Sequence, residues 1–159
     1  IMLHATNKLF IANNGAGAFV ISENHREQIC TSQKNKLNKE MVINIDEHYD
    51  FNKKFFSEKL HGFNLKDPRA MAAYFTNLVS QKSDLVLICS RKNNLEPAIA
   101  YGLVTEAGGV MVSKNGTSLG KNRYLEFGQN EELPIIAASS EELALELLDF
   151  LNNKEVSLY

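Results

Sequence analysis

The sequence predicts an α/β fold in which a mixed sheet is flanked by helices. Short apolar runs at residues 41–45, 85–89, 110–112 and 135–138 alternate with segments whose apolar residues recur at helical spacing. Hydrophobic residues make up 44% of the 159 positions, which is enough at this length to bury a substantial core. We therefore expect one domain over residues 1–159, with antiparallel strands over about 5–45 and an α/β part over about 46–152.

The first part of the chain predicts a β-hairpin. Strand-like residues 8–12 and 18–21 flank the turn-rich pentapeptide Asn13-Asn14-Gly15-Ala16-Gly17. A phosphate-binding loop is not indicated, because no third glycine and no helix follow the two glycines. Residues 27–32 predict the next strand, and the lysine- and asparagine-rich run 33–40 predicts an exposed loop.

Two amphipathic helices are predicted next. Residues 51–60 place four apolar side chains on one face, and Asp50 is the candidate N-cap. These four are Phe51, Phe55, Phe56 and Leu60. Asp67 and Pro68 predict the start of a second helix that runs to residue 80 and leads into the apolar strand at 85–89.

The third predicted helix, residues 97–107, is apolar on most sides. Pro97 suits its first position, and Gly108-Gly109 supply the freedom in φ that a helix needs to stop. We expect burial between layers for its apolar residues Ala98, Ile99, Leu103, Val104 and Ala107. The last helix, residues 141–151, is expected to begin with a capping box from Ser139 to Glu142.

Two motifs resemble the inositol monophosphatase family, the extragenic suppressor-like, Mg²⁺-dependent sugar phosphatases. Residues 105–109, Thr-Glu-Ala-Gly-Gly, match the family signature in which Trp-Asp-x-Ala-Ala-Gly leads into Glu-Ala-Gly-Gly and a strand. The hairpin matches the family pattern Tyr-x-Ala-x-x-Gly-x-Gly-Ala-Phe at Ala12, Gly15, Gly17, Ala18 and Phe19. With the order of the elements, the resemblance covers residues 9–152 and implies the C-terminal half of that fold.

The resemblance implies three site residues. Glu96 stands where the family has a metal-ligating Asp, so Glu96 is the candidate metal ligand. Ala70 and Ala72 match the Gly-Ser/Thr-Ala-Ala stretch whose backbone lines the family's substrate site, although Met71 replaces the hydroxyl residue. The family's acidic residue at the end of the following strand is absent here, where Cys89 stands.

The family hydrolyses phosphate monoesters with Mg²⁺ ions that activate a water. Most of its metal ligands come from a Glu-Glu pair and an Asp-Pro-x-Asp-Gly-Thr motif in its N-terminal half, and this part of the family pattern is absent from the sequence. Asp46-Glu47-His48 is acidic but is interpreted as a solvated turn, and the histidines His4, His25, His48 and His61 lack ligand spacing. We therefore expect no catalytic residue, no Mg²⁺ bound by this chain alone and no activity.

Three interpretations stay open. The chain is the C-terminal part of such a phosphatase, a non-catalytic relative that acts as an interaction or regulatory module, or an enzyme of different chemistry on the same half-fold. Ile1 ahead of Met2, directly on strand-like sequence, indicates that the start of the chain is missing. The expected partner is a second copy or the missing N-terminal half, and a phosphorylated polyol is expected as ligand only of the complete protein.

Composition restricts the expected partners and cellular compartment of the protein. A net charge of −2 without a basic face argues against nucleic-acid binding. No apolar run approaches the ~18 residues of a membrane span, and no signal peptide is evident. Cys30 and Cys89 lie in apolar runs and are expected to be buried, reduced thiols. These features predict a cytoplasmic protein.

Overall fold

The computed structural model of the chain describes residues 1–23, 25–47, 50–89, 95–121 and 134–153. They form two sheets. The first is antiparallel, in the order β1-β2-β3-β4, with strands β1 Met2–Leu3, β2 Lys8–Asn13, β3 Gly17–Ser22 and β4 His25–Ile29. The second is mixed, in the order β6-β5-β7-β9-β8, with strands β5 Val42–Ile45, β6 Asn64–Lys66, β7 Leu85–Ile88, β8 Val110–Val112 and β9 Ile135–Ala138. The helices are α1 Asp50–Lys59, α2 Met71–Val79, α3 Leu95–Glu106 and α4 Glu141–Asn152.

The sheets and helices alternate in four layers. Helices α2 and α3 lie between the sheets, since one core cluster joins Phe10 and Ala18 of the first sheet to both helices and to Val86 of the second. Helices α1 and α4 cover the other face of the second sheet, where Phe56 and Leu143 pack on its strands. The predicted α/β class, a mixed sheet with flanking helices, is confirmed. Within the described residues no helix has the length and apolar character of a membrane span.

Three strand assignments differ from the prediction. Strand β5 pairs in parallel with β6 and β7, so the antiparallel part ends at Ile29 instead of near residue 45. The edge strand β6 was not predicted, because only Leu65 in it is apolar and three residues show no periodicity. The strand expected at 27–32 runs from His25 to Ile29, and Cys30 beyond it is exposed instead of buried.

Helix α2 begins at Met71, three residues later than the predicted start at Pro68. Asp67 does not cap it, because its carboxylate accepts a hydrogen bond from the backbone N–H of Arg69 at 2.7 Å and forms a local turn. Arg69 has a left-handed φ of 60°, and Ala70 is extended at the N-cap position. The turn chemistry of Asp67 therefore delays the helix.

Helices α3 and α4 also correct two details. Helix α3 lies between the layers as predicted, with Leu103 and Val104 buried, but Ile99 is 49% exposed and does not join that core. The N-cap of α4 is Ser140, whose hydroxyl accepts the N–H of Leu143 at 3.2 Å, while Ser139 donates its hydroxyl to the carbonyl of Lys34 at 3.0 Å. The cap therefore lies one residue after the predicted Ser139. Helix α1 begins at Asp50 itself, and the side chain of Phe51 lies outside the described residues.

A buried carboxylate joins the loop before β5 to the second sheet. Asp84 is 4% exposed and accepts hydrogen bonds from the hydroxyl of Ser32 at 2.9 Å and the backbone N–H of Val42 at 3.2 Å. Its second oxygen also pairs with the ammonium of Lys34 at 3.0 Å. Since these donors come from separate segments, Asp84 fixes the path of the loop across the start of β5 and β7.

Candidate functional site

An open cleft of about 630 Å³ lies where β5 and β6 end and α2 and α3 begin. The two strands are parallel, so their carboxyl ends meet at one edge of the sheet, which is where ligands bind in open α/β sheets. The cleft is lined by Asp46, Glu47, Lys53, Asp67, Arg69, Ala70, Met71, Ala72, Tyr74 and Glu96.

The three residues that the sequence predicted for the site come together in this cleft. Ala70 and Ala72 stand at the entry to α2, and Glu96 lies in the first turn of α3. The residues at the start of α2 therefore line the same cleft as Glu96. Their roles in binding a substrate or a metal stay predictions.

Several charged cleft residues were not predicted as part of a site. Asp46 follows β5 directly and Asp67 follows β6, while Lys53 and Arg69 contribute the cations. The available signal was positional, because the residue after each of two parallel strands faces the carboxyl edge of the sheet. The sequence predicts a solvated turn residue at Asp46, yet this residue is only 7% exposed. His48 of the same predicted cluster lies outside the described residues.

Asp67 is held in place by a tyrosine. The hydroxyl of Tyr74 donates to Oδ1 of Asp67 at 2.7 Å, and Tyr74 is 4% exposed. Burial first, and then this hydrogen bond and the nearby carboxylates, raise the pKa of Tyr74. The hydroxyl therefore stays protonated and orients the carboxylate at the edge of the cleft.

A buried amide and a thiol lie near Asp46 without lining the cleft. Asn52 is fully buried and donates its Nδ2 to the backbone carbonyl of Asp46 at 2.9 Å, which fixes the chain after β5. At the end of β7, burial, with a smaller contribution from Asp46, raises the pKa of Cys89 to about 12. Cys89 is consequently a neutral thiol near pH 7 and not a thiolate nucleophile.

The described residues do not form a magnesium site. Over the described ranges, no group of three or more Asp, Glu, His or Cys side chains is arranged to hold a metal ion. Mg²⁺ requires near-octahedral oxygen ligation, and the cleft carboxylates, Glu96 included, do not converge in such a group. The geometry therefore does not fit the metal that the family resemblance implies.

The two sequence motifs that carry the resemblance meet away from the cleft. The carboxylate of Glu106, at the end of α3, accepts the backbone N–H groups of Gly15 at 2.8 Å and Gly17 at 2.9 Å in the hairpin turn. These two hydrogen bonds lower the pKa of Glu106. The motifs thus form a structural joint between the hairpin and α3.

Comparison with known proteins identifies solved structures of the same fold at low sequence identity. No protein-family model and no curated protein sequence matches the chain. Among solved structures, SuhB of Mycobacterium tuberculosis superposes with a TM-score of 0.71 at 14% identity, over 93% of this chain and 55% of its own. The IMPase of Thermotoga maritima superposes with a TM-score of 0.71 at 21% sequence identity, over 93% of this chain and 52% of its own. An IMPase/NADP phosphatase, solved with NADP and Ca²⁺, superposes with a TM-score of 0.69 at 15% sequence identity, over 97% of this chain and 54% of its own.

These three proteins share one architecture with the chain and extend beyond it. The chain spans about half of the length of each of them. The half-fold predicted from the hairpin and Glu-Ala-Gly-Gly motifs is confirmed by this likeness. The chain therefore has the inositol monophosphatase fold, over about half the length of the proteins that share it.

Proposed function

We propose that the chain is the C-terminal part of a phosphate monoester phosphatase similar to inositol monophosphatase. It forms one wall of the active site and requires the rest of the fold for the metal. The observation that carries the proposal is the cleft, which joins the entry to α2, Glu96 and Asp46 at the carboxyl edge of the second sheet without a complete metal-binding group among the described residues.

The described residues suit an anionic, phosphorylated ligand. The N–H groups in the first turn of α2 and the cationic side chains of Lys53 and Arg69 attract negative charge, while Asp46 and Asp67 can accept hydrogen bonds from hydroxyl groups. A phosphorylated polyol carries both kinds of group. The neighbouring phosphatase solved with NADP and Ca²⁺ supports the same class of ligand for the complete protein.

We further propose that the isolated chain is inactive. Phosphoryl transfer depends on cations that neutralise charge on the phosphate, and the described carboxylates of the cleft are not grouped to retain such a cation. The free thiols Cys30 and Cys89 support a reducing compartment such as the cytoplasm.

Reconstitution tests the proposal. The chain is mixed with the part of the Thermotoga maritima IMPase that it does not cover, and Mg²⁺-dependent phosphate release from inositol monophosphate is measured. We expect release from the mixture above that of either component, and loss of that gain in Glu96→Ala. Glu58→Ala, on the exposed side of α1, is the matched control and keeps the gain. A mixture that binds but never releases phosphate would contradict the proposed function.

A further inference from the structure

A second cavity, of about 420 Å³, lies at the opposite end of α2 from the cleft. The cleft borders the first turn of α2, whereas this cavity borders the last turn and the face of the first sheet that packs on the helices. No described residue lines both, so the second cavity is a separate space. We call it the rear cavity, defined by Lys8, Phe10, Val20, Ile29, Val79 and Lys82.

The rear cavity lies where α2 stops covering the first sheet. Val79 is the last helical residue, and Gln81 has a left-handed φ of 60° at the turn that leads to β7. The side-chain amide of Gln81 donates to the backbone carbonyl of Cys30 at 3.2 Å. This hydrogen bond joins the end of α2 to the end of β4, so one wall of the cavity is formed before a ligand binds, as is usual for ligand pockets.

The floor of the rear cavity is apolar. Phe10 is 4% exposed and Val79 is fully buried, and both belong to the core between the sheets. Val20 and Ile29 pack against that core but are only partly buried, so they present apolar surface to the cavity. Phe10 and Val20 are paired across neighbouring strands and form a continuous surface. The apolar body of a ligand is therefore stabilised here by removal from water.

The rim of the rear cavity is cationic. Lys8 and Lys82 are exposed there, and Glu27 is the acidic residue among the described lining residues. Within the described part of the chain, neither ammonium group forms an ion pair with a carboxylate. Two such cations against one carboxylate leave a net positive charge, which attracts an anion.

The last turn of α2 does not reverse this preference. The end of a helix favours positive charge because its last carbonyl oxygens have no intrahelical donors. In α2 these oxygens are already occupied: the carbonyl of Thr76 accepts the N–H of Ser80 at 3.1 Å. The carbonyl of Asn77 accepts the N–H of Lys82 at 2.9 Å. The two lysines therefore determine the charge of the ligand.

We infer that the rear cavity binds a small organic anion with an apolar body, such as an aryl or alkyl carboxylate or sulfonate. The body packs on Phe10, Val20 and Val79, and the ammonium groups of Lys8 and Lys82 hold the anionic group. The volume of the cavity lies in the range of about 300–1,000 Å³ that is usual for small-molecule sites. This site is independent of the proposed phosphatase function.

Alkylation of Cys30 reports occupancy, because this exposed thiol lines the rear cavity. The full chain is labelled with iodoacetamide over a concentration series of naphthalene-2-sulfonate, and mass spectrometry measures the labelled fraction. Naphthalene-2-methanol has the same apolar body without the charge, and inorganic sulfate has the charge without the body. We expect the sulfonate to protect Cys30 at a concentration at least about fivefold lower than the alcohol does, since two ammonium groups add to its binding. Sulfate should give no protection at that concentration.

Charge variants test the role of the lysines. Lys8→Gln and Lys82→Gln should each raise the half-protecting concentration of the sulfonate about two- to fivefold and leave that of the alcohol unchanged, because each removes one exposed charge. Lys54→Gln is the matched control, since Lys54 is an exposed lysine on α1 that does not line the cavity. Half-protecting concentrations are compared in place of labelling rates, because neighbouring cations also change the reactivity of a thiol.

Equilibrium dialysis measures the same binding without the thiol. Cys30→Ser should bind one naphthalene-2-sulfonate per rear cavity with the affinity of the wild-type chain, and circular dichroism establishes that each variant is folded. The inference is overturned if the sulfonate binds without protecting Cys30 or does not bind at all. It is equally overturned if the alcohol protects as well as the sulfonate, or if both lysine variants behave as Lys54→Gln does.

Discussion

Gly109 is predicted to resist replacement for a purely steric reason. It connects α3 to β8, and its φ lies outside the left-handed region, so an alanine meets no backbone penalty there. A Cβ at this position would lie 2.7 Å from the backbone carbonyl oxygen of Ala138, 2.9 Å from Val104 and 3.0 Å from Thr31. Ala138 is paired with strands on both sides, so its carbonyl cannot move aside.

The expected cost follows from that crowding. Overpacking by one methyl group costs about 1–3 kcal/mol, and we place Gly109→Ala near 3 kcal/mol because one of the obstructing atoms belongs to the backbone. Gly102→Ala is the matched control within α3, where nothing in the described residues lies within 4 Å of the new Cβ. It should stabilise the fold by about 0.5–1 kcal/mol, since alanine is the better helix former.

Urea unfolding followed by circular dichroism measures both variants. The two free energies of unfolding should differ by about 3.5–4 kcal/mol, the sum of the steric cost and the helix-propensity gain. Equal stabilities, or a loss below about 0.5 kcal/mol for Gly109→Ala, would refute the close approach of α3 to β9.

Three further predictions concern buried and charged groups. Asp84→Ala should lower the free energy of unfolding by about 2–3 kcal/mol, because it leaves buried donors unpaired. Lys34→Ala removes the half-exposed partner and should cost less than about 1 kcal/mol. Equal losses of the two variants in urea unfolding would contradict this prediction. Folding lowers the pKa of Glu106. Its carboxylate therefore stabilises the fold at any pH above the ordinary glutamate pKa of about 4.3, and this contribution is lost as the pH falls through the folded-state pKa. Glu106→Gln should therefore be less stable than the wild type at pH 7, with a difference that shrinks below about pH 4, and a gap independent of pH in thermal unfolding would count against the joint. Iodoacetamide at pH 8 should alkylate the exposed Cys30 and spare Cys89, whose pKa is raised to about 12, until urea is added; mass spectrometry of the peptides reads the result.

The sequence predicted the elements better than their ends. Apolar runs such as that of β9 are unambiguous, because four buried residues in a row fit a strand covered on both faces. The start of α2 was misplaced since Asp67 resembles an N-cap, and only the structure shows its carboxylate occupied by Arg69 and Tyr74. The cap of α4 was misplaced by one residue because Ser139 and Ser140 offer the same chemistry.

The candidate site was predictable only where a motif marked it. Ala70, Ala72 and Glu96 were found through the resemblance, whereas Asp46 and Asp67 join the cleft through strand pairing that the sequence does not display. Long-range pairing of β5 with β6 places their ends side by side, and no local pattern encodes that register. The meeting of the hairpin turn with Glu106 was hidden for the same reason.

We propose that this chain supplies the scaffold of a phosphatase cleft and that its described residues lack a complete metal-binding group. The most direct measurement is phosphate release from inositol monophosphate by the purified 159-residue chain, over a series of Mg²⁺ concentrations. The account predicts a rate equal to that of a buffer control containing Mg²⁺, and no gain in Glu96→Asp. Mg²⁺-dependent release by the chain alone, abolished in Glu96→Ala, would contradict it.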